Sequence, residues 1–166
     1  MTDYIVIMGV AGCGKSSLGA VVAQATRLPL VEGDDFHSED SRRKMSQGIA
    51  LTDADREGWL TTLGDQLRNH PAGLVLTCSA LKKTYRDRLR HAAPGVRFVF
   101  LDISREQAQA RVVARAHFFS SSLVDSQFAT LQDPTGEPGV LKLNATAPLS
   151  TLQAEVTTWL QAKEQA

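Results

Sequence analysis

Short, nearly unbroken apolar runs recur along the chain, and the segments between them repeat their apolar positions every three or four residues. The first run, Tyr4 to Met8, stops at Gly9. Leu74 to Thr77, Val96 to Leu101 and Gly139 to Leu143 repeat the pattern, and Leu28 to Val31 is a weaker fifth example. Runs of this length and composition suit strands buried on both faces of a parallel sheet. Between them, Ser17 to Ala25 reads as a helix, and Leu60, Leu63 and Leu67 share one face of a segment opened by Thr52-Asp53-Ala54-Asp55. That opening carries a hydroxyl followed three residues on by an acid, which marks a helix start. The Ser104 to Gln107 box opens another helix, and Leu149, Leu152, Val156, Trp159 and Leu160 trace an amphipathic one at the C-terminal end. Asp133 to Gly139 is a loop. Strands alternating with helices predict an α/β fold in three layers, a five-stranded parallel sheet covered by helices on both faces.

With 166 residues, the chain is expected to form one domain, 1–166, around one substantial core. Lysine plus arginine balance aspartate plus glutamate at 18 each, so no net field draws the protein to nucleic acid or to an anionic membrane. The first apolar run lacks a basic flank and breaks at Gly9, too early for a signal peptide or a membrane span, and a cytoplasmic location is expected. Cys13 and Cys78 have no metal-ligand spacing, and a disulfide is not expected in that compartment.

The chemistry begins at the end of the first strand. Gly9 to Ser16 reads Gly-Val-Ala-Gly-Cys-Gly-Lys-Ser, the P-loop pattern G-x-x-x-x-G-K-[ST], between a strand and a helix as its mechanism requires. Glycines allow backbone amides to turn inward around phosphates where a Cβ would obstruct them. Lys15 supplies a cation for the β- and γ-phosphates, and the Ser16 hydroxyl is positioned to ligate Mg²⁺. Gly9, Val10, Ala11, Gly12, Cys13, Gly14, Lys15, Ser16 and Ser17 are therefore the candidate ATP-binding residues. The plain alternative is a glycine-rich turn bearing an exposed lysine. Cys13 reads either as a redox-sensitive thiol at a helix N-terminus or as a small residue that fits. The motif alone establishes nucleotide binding, not a kinase. No Asn-Lys-x-Asp base-reading segment of a GTPase is present.

After the second strand, Val31-Glu-Gly-Asp-Asp-Phe-His37 sets carboxylates at the C-terminal strand edge, where such sheets bind ligands. Asp34 is the candidate to orient an attacking hydroxyl and take its proton, with Glu32 helping to hold Mg²⁺ through water. A solvated acidic turn is the alternative. Arg42 to Met45 and Asp53 to Arg56 gather charge near Trp59, and by themselves read as a solvated helix face. The third strand leads into Cys78 to Arg90, rich in Lys and Arg, and a cationic edge beside a nucleotide site suits an anionic acceptor. Arg111 and Arg115, one helical turn apart, lead into His117-Phe118-Phe119 and suggest a lid laying arginines over the transferring phosphate, although such a pair is more often a solvated face.

Taken together, these segments resemble the gluconokinase family of P-loop kinases. Beside the P-loop stand Gly33-Asp34-Asp35-Phe36-His37 for its G-D-x-x-H element and Lys44-Met45-Ser-Gln-Gly48 for K-M-x-x-G. Asp53-Ala-Asp55-Arg56-Glu-Gly-Trp59-Leu60 matches D-x-D-R-x-x-W-L, and Cys78 to Asp87 matches C-S-A-L-K-x-x-Y-R-D. Arg111, Arg115, His117-Phe118 and Ser126-Gln127-Phe128-Ala-Thr-Leu131 match the lid signature. The resemblance implies transfer of the ATP γ-phosphate to D-gluconate, a Mg²⁺ requirement, a homodimer, and a fold like the nucleoside monophosphate and shikimate kinases with a helical lid near 111–131. It implies catalytic roles for Lys15, Asp34, Arg111 and Arg115, and metal contacts through Ser16 and Glu32. It also implies acceptor contacts from Asp34, His37, Lys44, Arg56, Lys82, Tyr85, Arg86, His117 and Gln127. The chain departs from the family at Ser41, Ala116, Ser120 to Ser122, Ala11 and Cys13, which bears on lid geometry and acceptor fine specificity. Another acceptor, such as shikimate or a related sugar acid, and an ATP-binding regulatory protein without turnover are the alternative readings.

Overall fold

The computed structural model describes residues 3–115 and 121–165. Five strands, β1 (Asp3–Met8), β2 (Leu30–Glu32), β3 (Gly73–Thr77), β4 (Arg97–Asp102) and β5 (Val140–Asn144), form one sheet in the order β2-β3-β1-β4-β5. Every neighbouring pair is parallel. Seven helices among the described residues connect or flank them: α1 (Lys15–Thr26), α2 (Glu39–Ser46), α3 (Asp53–Arg68), α4 (Lys83–Ala92), α5 (Arg105–Arg115), α6 (Ser121–Thr130) and α7 (Leu149–Gln165). The expected α/β class, parallel sheet and five strands are all present, each strand within two residues of its expected start and end.

The period-two geometry of the central strands divides the core in two. Ile5 and Ile7 of β1, Val75 of β3 and Val99 and Leu101 of β4 face α1 and α7. Val6 and Met8, Leu74 and Leu76, and Phe98 and Phe100 face the other way, onto α3 and α4. Every one of these side chains is at most 1% exposed, which explains why the strands read as continuous apolar runs and not as alternating ones.

Helix ends are set by local chemistry. Thr52 caps α3 by accepting from the Asp55 amide at 3.1 Å, while Asp55 accepts from the Thr52 amide at 2.9 Å, a closed capping box. Helix α1 differs: its N-cap is Gly14 in the left-handed region, with no side-chain cap and no acid in the first turn. Its first amides are left for an outside partner. Because β1 lies between β3 and β4 while the chain crosses from β1 to β2, the strand ends part around β1, and the loops after β1, β2 and β3 meet there. Among the described residues, no helix is long and apolar enough to cross a membrane.

Candidate active site

The loop from Gly9 to Gly14 folds into a nest. Gly9, Gly12 and Gly14 all have positive φ, at 147°, 82° and 98°, and a Cβ on Gly12 would stand 2.8 Å from the Ala108 carbonyl, so both conformation and space demand glycine there. Lys15 folds back over the loop, its Nζ donating to the Gly9 and Val10 carbonyls at 3.0 and 3.1 Å. Beside it the Ser16 hydroxyl donates to Glu32 Oε2 at 3.0 Å, and Thr77 Oγ1 donates to the same oxygen at 2.6 Å. A hydroxyl and a carboxylate oxygen side by side at a phosphate nest fit Mg²⁺, which takes few protein ligands and completes its shell with phosphate and water. Cys13 is 1% exposed, and burial pushes its thiol pKa up despite Lys15 and Arg111 nearby. This favours the packing reading over a redox role.

Arg111 reaches the same loop from α5, with Nη1 donating to the Gly12 carbonyl at 3.1 Å and Nη2 to the Ala145 carbonyl at 3.2 Å. It is thus tethered to the shoulder of the nest and to the loop after β5. Arg115 belongs to the last turn of α5. His117 lies outside the described residues.

Across the cleft, Asp34 is carried by a short 3-10 turn, Gly33–Phe36, that two side chains pin from outside. Trp59 Nε1 donates to the Gly33 carbonyl at 2.8 Å, and Arg42 Nη2 donates to the Asp35 carbonyl at 2.8 Å and the Asp34 carbonyl at 3.4 Å. The His37 ring stacks on Trp59 with centroids 4.4 Å apart and brings Nε2 to 3.6 Å from Asp34 Oδ1. Asp34 lies deep among protein atoms, yet its side chain is 74% exposed through the mouth of the cleft, so an acceptor has access to it. Burial works to raise its pKa, but the His37 ring beside it and the positive charges of Lys15 and Arg42 outweigh it and hold the carboxyl below its ordinary value. The group is ionised at neutral pH, as a proton acceptor must be.

One cleft joins the two halves. It is lined by Ala11, Lys15, Asp34, His37, Arg56 and Gln127, with Met45, Ala50, Leu51 and Leu123 as apolar wall and Ser79 and Ser126 as further polar groups. The space between these walls, counted out to open solvent at the mouth, is about 530 Å³. Gln127 crosses from α6 to the nest, its Oε1 accepting from the Ala11 amide at 2.7 Å. Arg56 is 8% exposed.

The other anticipated acceptor residues stand apart from the cleft lining. Lys44 is paired with Asp55 at 2.8 Å and Lys82 with Asp53 at 2.9 Å. Tyr85 is 4% exposed, and its hydroxyl donates to Asp53. Arg86 is fully buried: it forks onto Glu137 at 2.9 and 2.7 Å and donates to the Ala80 and Gln132 carbonyls at 2.7 and 2.9 Å. It braces the turn after β3, where Ala80 has a positive φ of 47°. Thr77, Ser79 and Ser126 were not among the candidate site residues, although Ser79 and Ser126 fall inside the family motifs. The available signal for the first two was their place, a hydroxyl on the last residue of a strand and another just beyond it, at the ligand-binding edge of the sheet.

Comparison with known proteins agrees with this architecture. The family model for shikimate kinase matches residues 11–127. The thermosensitive gluconokinase of Escherichia coli is 41% identical over 140 residues, spanning 81% of this chain and 74% of that protein. The gluconokinase of Gluconobacter oxydans is 36% identical over 165 residues, 97% of this chain and 93% of that one. A crystal structure of a gluconokinase from Sinorhizobium meliloti superposes with a TM-score of 0.85 at 41% identity, covering 97% of both chains. A P-loop that faces an acidic strand edge across one cleft, on a chain this similar to gluconokinases along nearly its whole length, belongs to the gluconokinase family.

Proposed function

We propose that the protein transfers the γ-phosphate of ATP to the terminal hydroxyl of D-gluconate, giving 6-phospho-D-gluconate and ADP. The observation that supports it is the single cleft holding Lys15 of the nest, Asp34 of the strand edge and the Arg56 guanidinium. These are a phosphate cation, a proton acceptor and a binder for a carboxylate.

In this reading the inward amides of Gly9 to Gly14 and the uncapped start of α1 hold the triphosphate. Lys15 exchanges the Gly9 and Val10 carbonyls for phosphate oxygens. Ser16 and Glu32 would hold Mg²⁺, which when bound would neutralise charge on the phosphates. Asp34 orients the acceptor hydroxyl and takes its proton as the oxygen bonds to phosphorus and the bond to ADP breaks. Arg56 anchors the carboxylate at the other end of the acceptor, and His37 and Gln127 line its path. Holding both ends fixes the hydroxyl in line, which is where most of the rate comes from. Arg111 braces the nest at Gly12, and closure of a lid over the transferring group is what the family resemblance implies. A homodimer is the assembly implied by the family, and analytical ultracentrifugation reads it directly.

The test is an acceptor screen with coupled ADP detection. Gluconate supports turnover far above that with shikimate, glucose or nucleoside monophosphates. Equal rates with all of them, or a preference for shikimate, would overturn the assignment.

A further inference from the structure

Among the described residues, Arg56 is held by only one of its nitrogens. Nη1 donates to the Leu51 carbonyl at 3.0 Å and to the Tyr85 hydroxyl at 3.3 Å, while Nε and Nη2 make no hydrogen bond to the described residues. One edge of the guanidinium is therefore free for a planar two-oxygen partner. Its value as an anchor depends on how firmly the other side is fixed.

Tyr85 does the fixing without lining the cleft. Its oxygen accepts from Arg56, so its proton is committed to Asp53. Asp53 in turn receives Lys82 Nζ at 2.9 and 3.1 Å. The Tyr85 ring carries the Arg56 guanidinium and the Lys82 ammonium at 5.5 and 5.7 Å from its centroid. The result is a chain of alternating donors and acceptors running from an exposed ion pair inward to the cleft wall. The hydroxyl is the link that joins Arg56 to the Asp53–Lys82 pair.

Building on the reading that Arg56 receives the acceptor carboxylate, we propose that Tyr85, Asp53 and Lys82 are positioning residues that fix the Arg56 guanidinium for that carboxylate and never touch the acceptor. This differs from a direct substrate role for Tyr85 and Lys82. It makes selection of an acid over a neutral polyol depend on an exposed carboxylate, Asp53.

Tyr85→Phe keeps the ring and removes only the hydroxyl. Its expected effect is a rise of about tenfold in the KM for gluconate, the size of one lost hydrogen bond to a charged group, with kcat and the KM for ATP within twofold of wild type. The inhibition constant of D-glucitol, a neutral polyol of equal chain length, stays unchanged, because it has no carboxylate to misplace. Asp53→Asn gives the same signature, and it carries the test if Tyr85→Phe fails to fold. The double variant is no worse than Tyr85→Phe, since both act through one link. Arg56→Lys separates the two levels of argument. If it leaves gluconate and glucitol binding in their wild-type ratio, the carboxylate reading of Arg56 fails. If it collapses that ratio while Tyr85→Phe and Asp53→Asn do not, the relay alone is refuted. A loss of glucitol binding and of thermal stability in parallel with gluconate would make the network plain scaffolding and overturn the proposal.

Discussion

Gly33 lies between Glu32 and Asp34, and adding one methyl group there tests how tightly the site depends on the sheet. A Cβ on Gly33 would stand 2.3 Å from the Thr77 carbonyl oxygen and 3.4 Å from its carbon. The obstacle is backbone at the end of a parallel pair, where Glu32 registers with Thr77, and it cannot swing aside as a side chain could. Restoring ordinary contact requires the start of the turn to move by about 1 Å, in a close-packed interior with no slack to absorb it. The shift strains the Trp59 hydrogen bond to the Gly33 carbonyl and the Thr77 contact to Glu32, and carries Asp34 with it. Overpacking of this kind costs about 1–3 kcal/mol, and a weakened buried hydrogen bond adds about 1 kcal/mol. The expected total of about 3 kcal/mol lowers Tm by roughly 6–12 °C in a domain of this size. Displacing a reacting group by about 1 Å lowers kcat by about a hundredfold. Gly33→Ala measured by thermal unfolding and by coupled ADP release should therefore fall in both. A variant with wild-type Tm and kcat would refute the claim that this turn is sterically keyed to β3.

Arg86→Met removes a fully buried guanidinium and leaves Glu137 with Arg90 as its remaining partner; denaturant unfolding should show a loss of about 3–5 kcal/mol, with the KM for gluconate little changed at temperatures where the variant is folded. A large KM effect at full stability would return Arg86 to the acceptor site. His37→Asn removes the largest influence lowering the Asp34 pKa and leaves burial less opposed, so the acid limb of kcat/KM should move to higher pH. The same sign holds for stability. Because the folded pKa of Asp34 is depressed, its contribution is present above the unfolded value and is lost as pH falls through the folded one. An unmoved acid limb would show that His37 does not act on Asp34.

The legibility of this chain follows from where its signals are local. The three central strands were readable because each is a run buried on nearly its whole length, the partly exposed edge strands β2 and β5 because their short apolar runs survive at the sheet margin, and Gly9 to Ser16 because the nest, its lysine and its hydroxyl are contiguous. Helix α2 was legible only as the solvated helix face at Arg42 to Met45, without its bounds. Its mean composition is polar, and it is set by Ser38 accepting from the Ser41 amide and by Arg42 tying it back to the turn below. Helix α4 hid behind its charges, since its inner face is Tyr85, Arg86 and Leu89 and one of those three is an arginine neutralised by Glu137, far away in sequence. The same blindness affects the site. A run of cations after β3 looks like an anion-binding edge, but which of Lys82, Arg86 and Arg90 is already spent depends on Asp53, Asp87 and Glu137, and only tertiary structure brings those together. Residues joined to the nest by one turn of chain were legible, whereas Thr77 and Ser79 entered the site through strand order.

The measurement nearest to the central claim is Asp34→Asn, assayed in parallel for ATP binding by calorimetry and for gluconate-dependent ADP formation. Asn keeps the volume but cannot take a proton. ATP affinity should stay within about twofold of wild type while kcat falls by about 10²–10⁴, the usual contribution of a positioned base. A near-normal rate with ATP affinity intact would contradict the account and move the proton to another group.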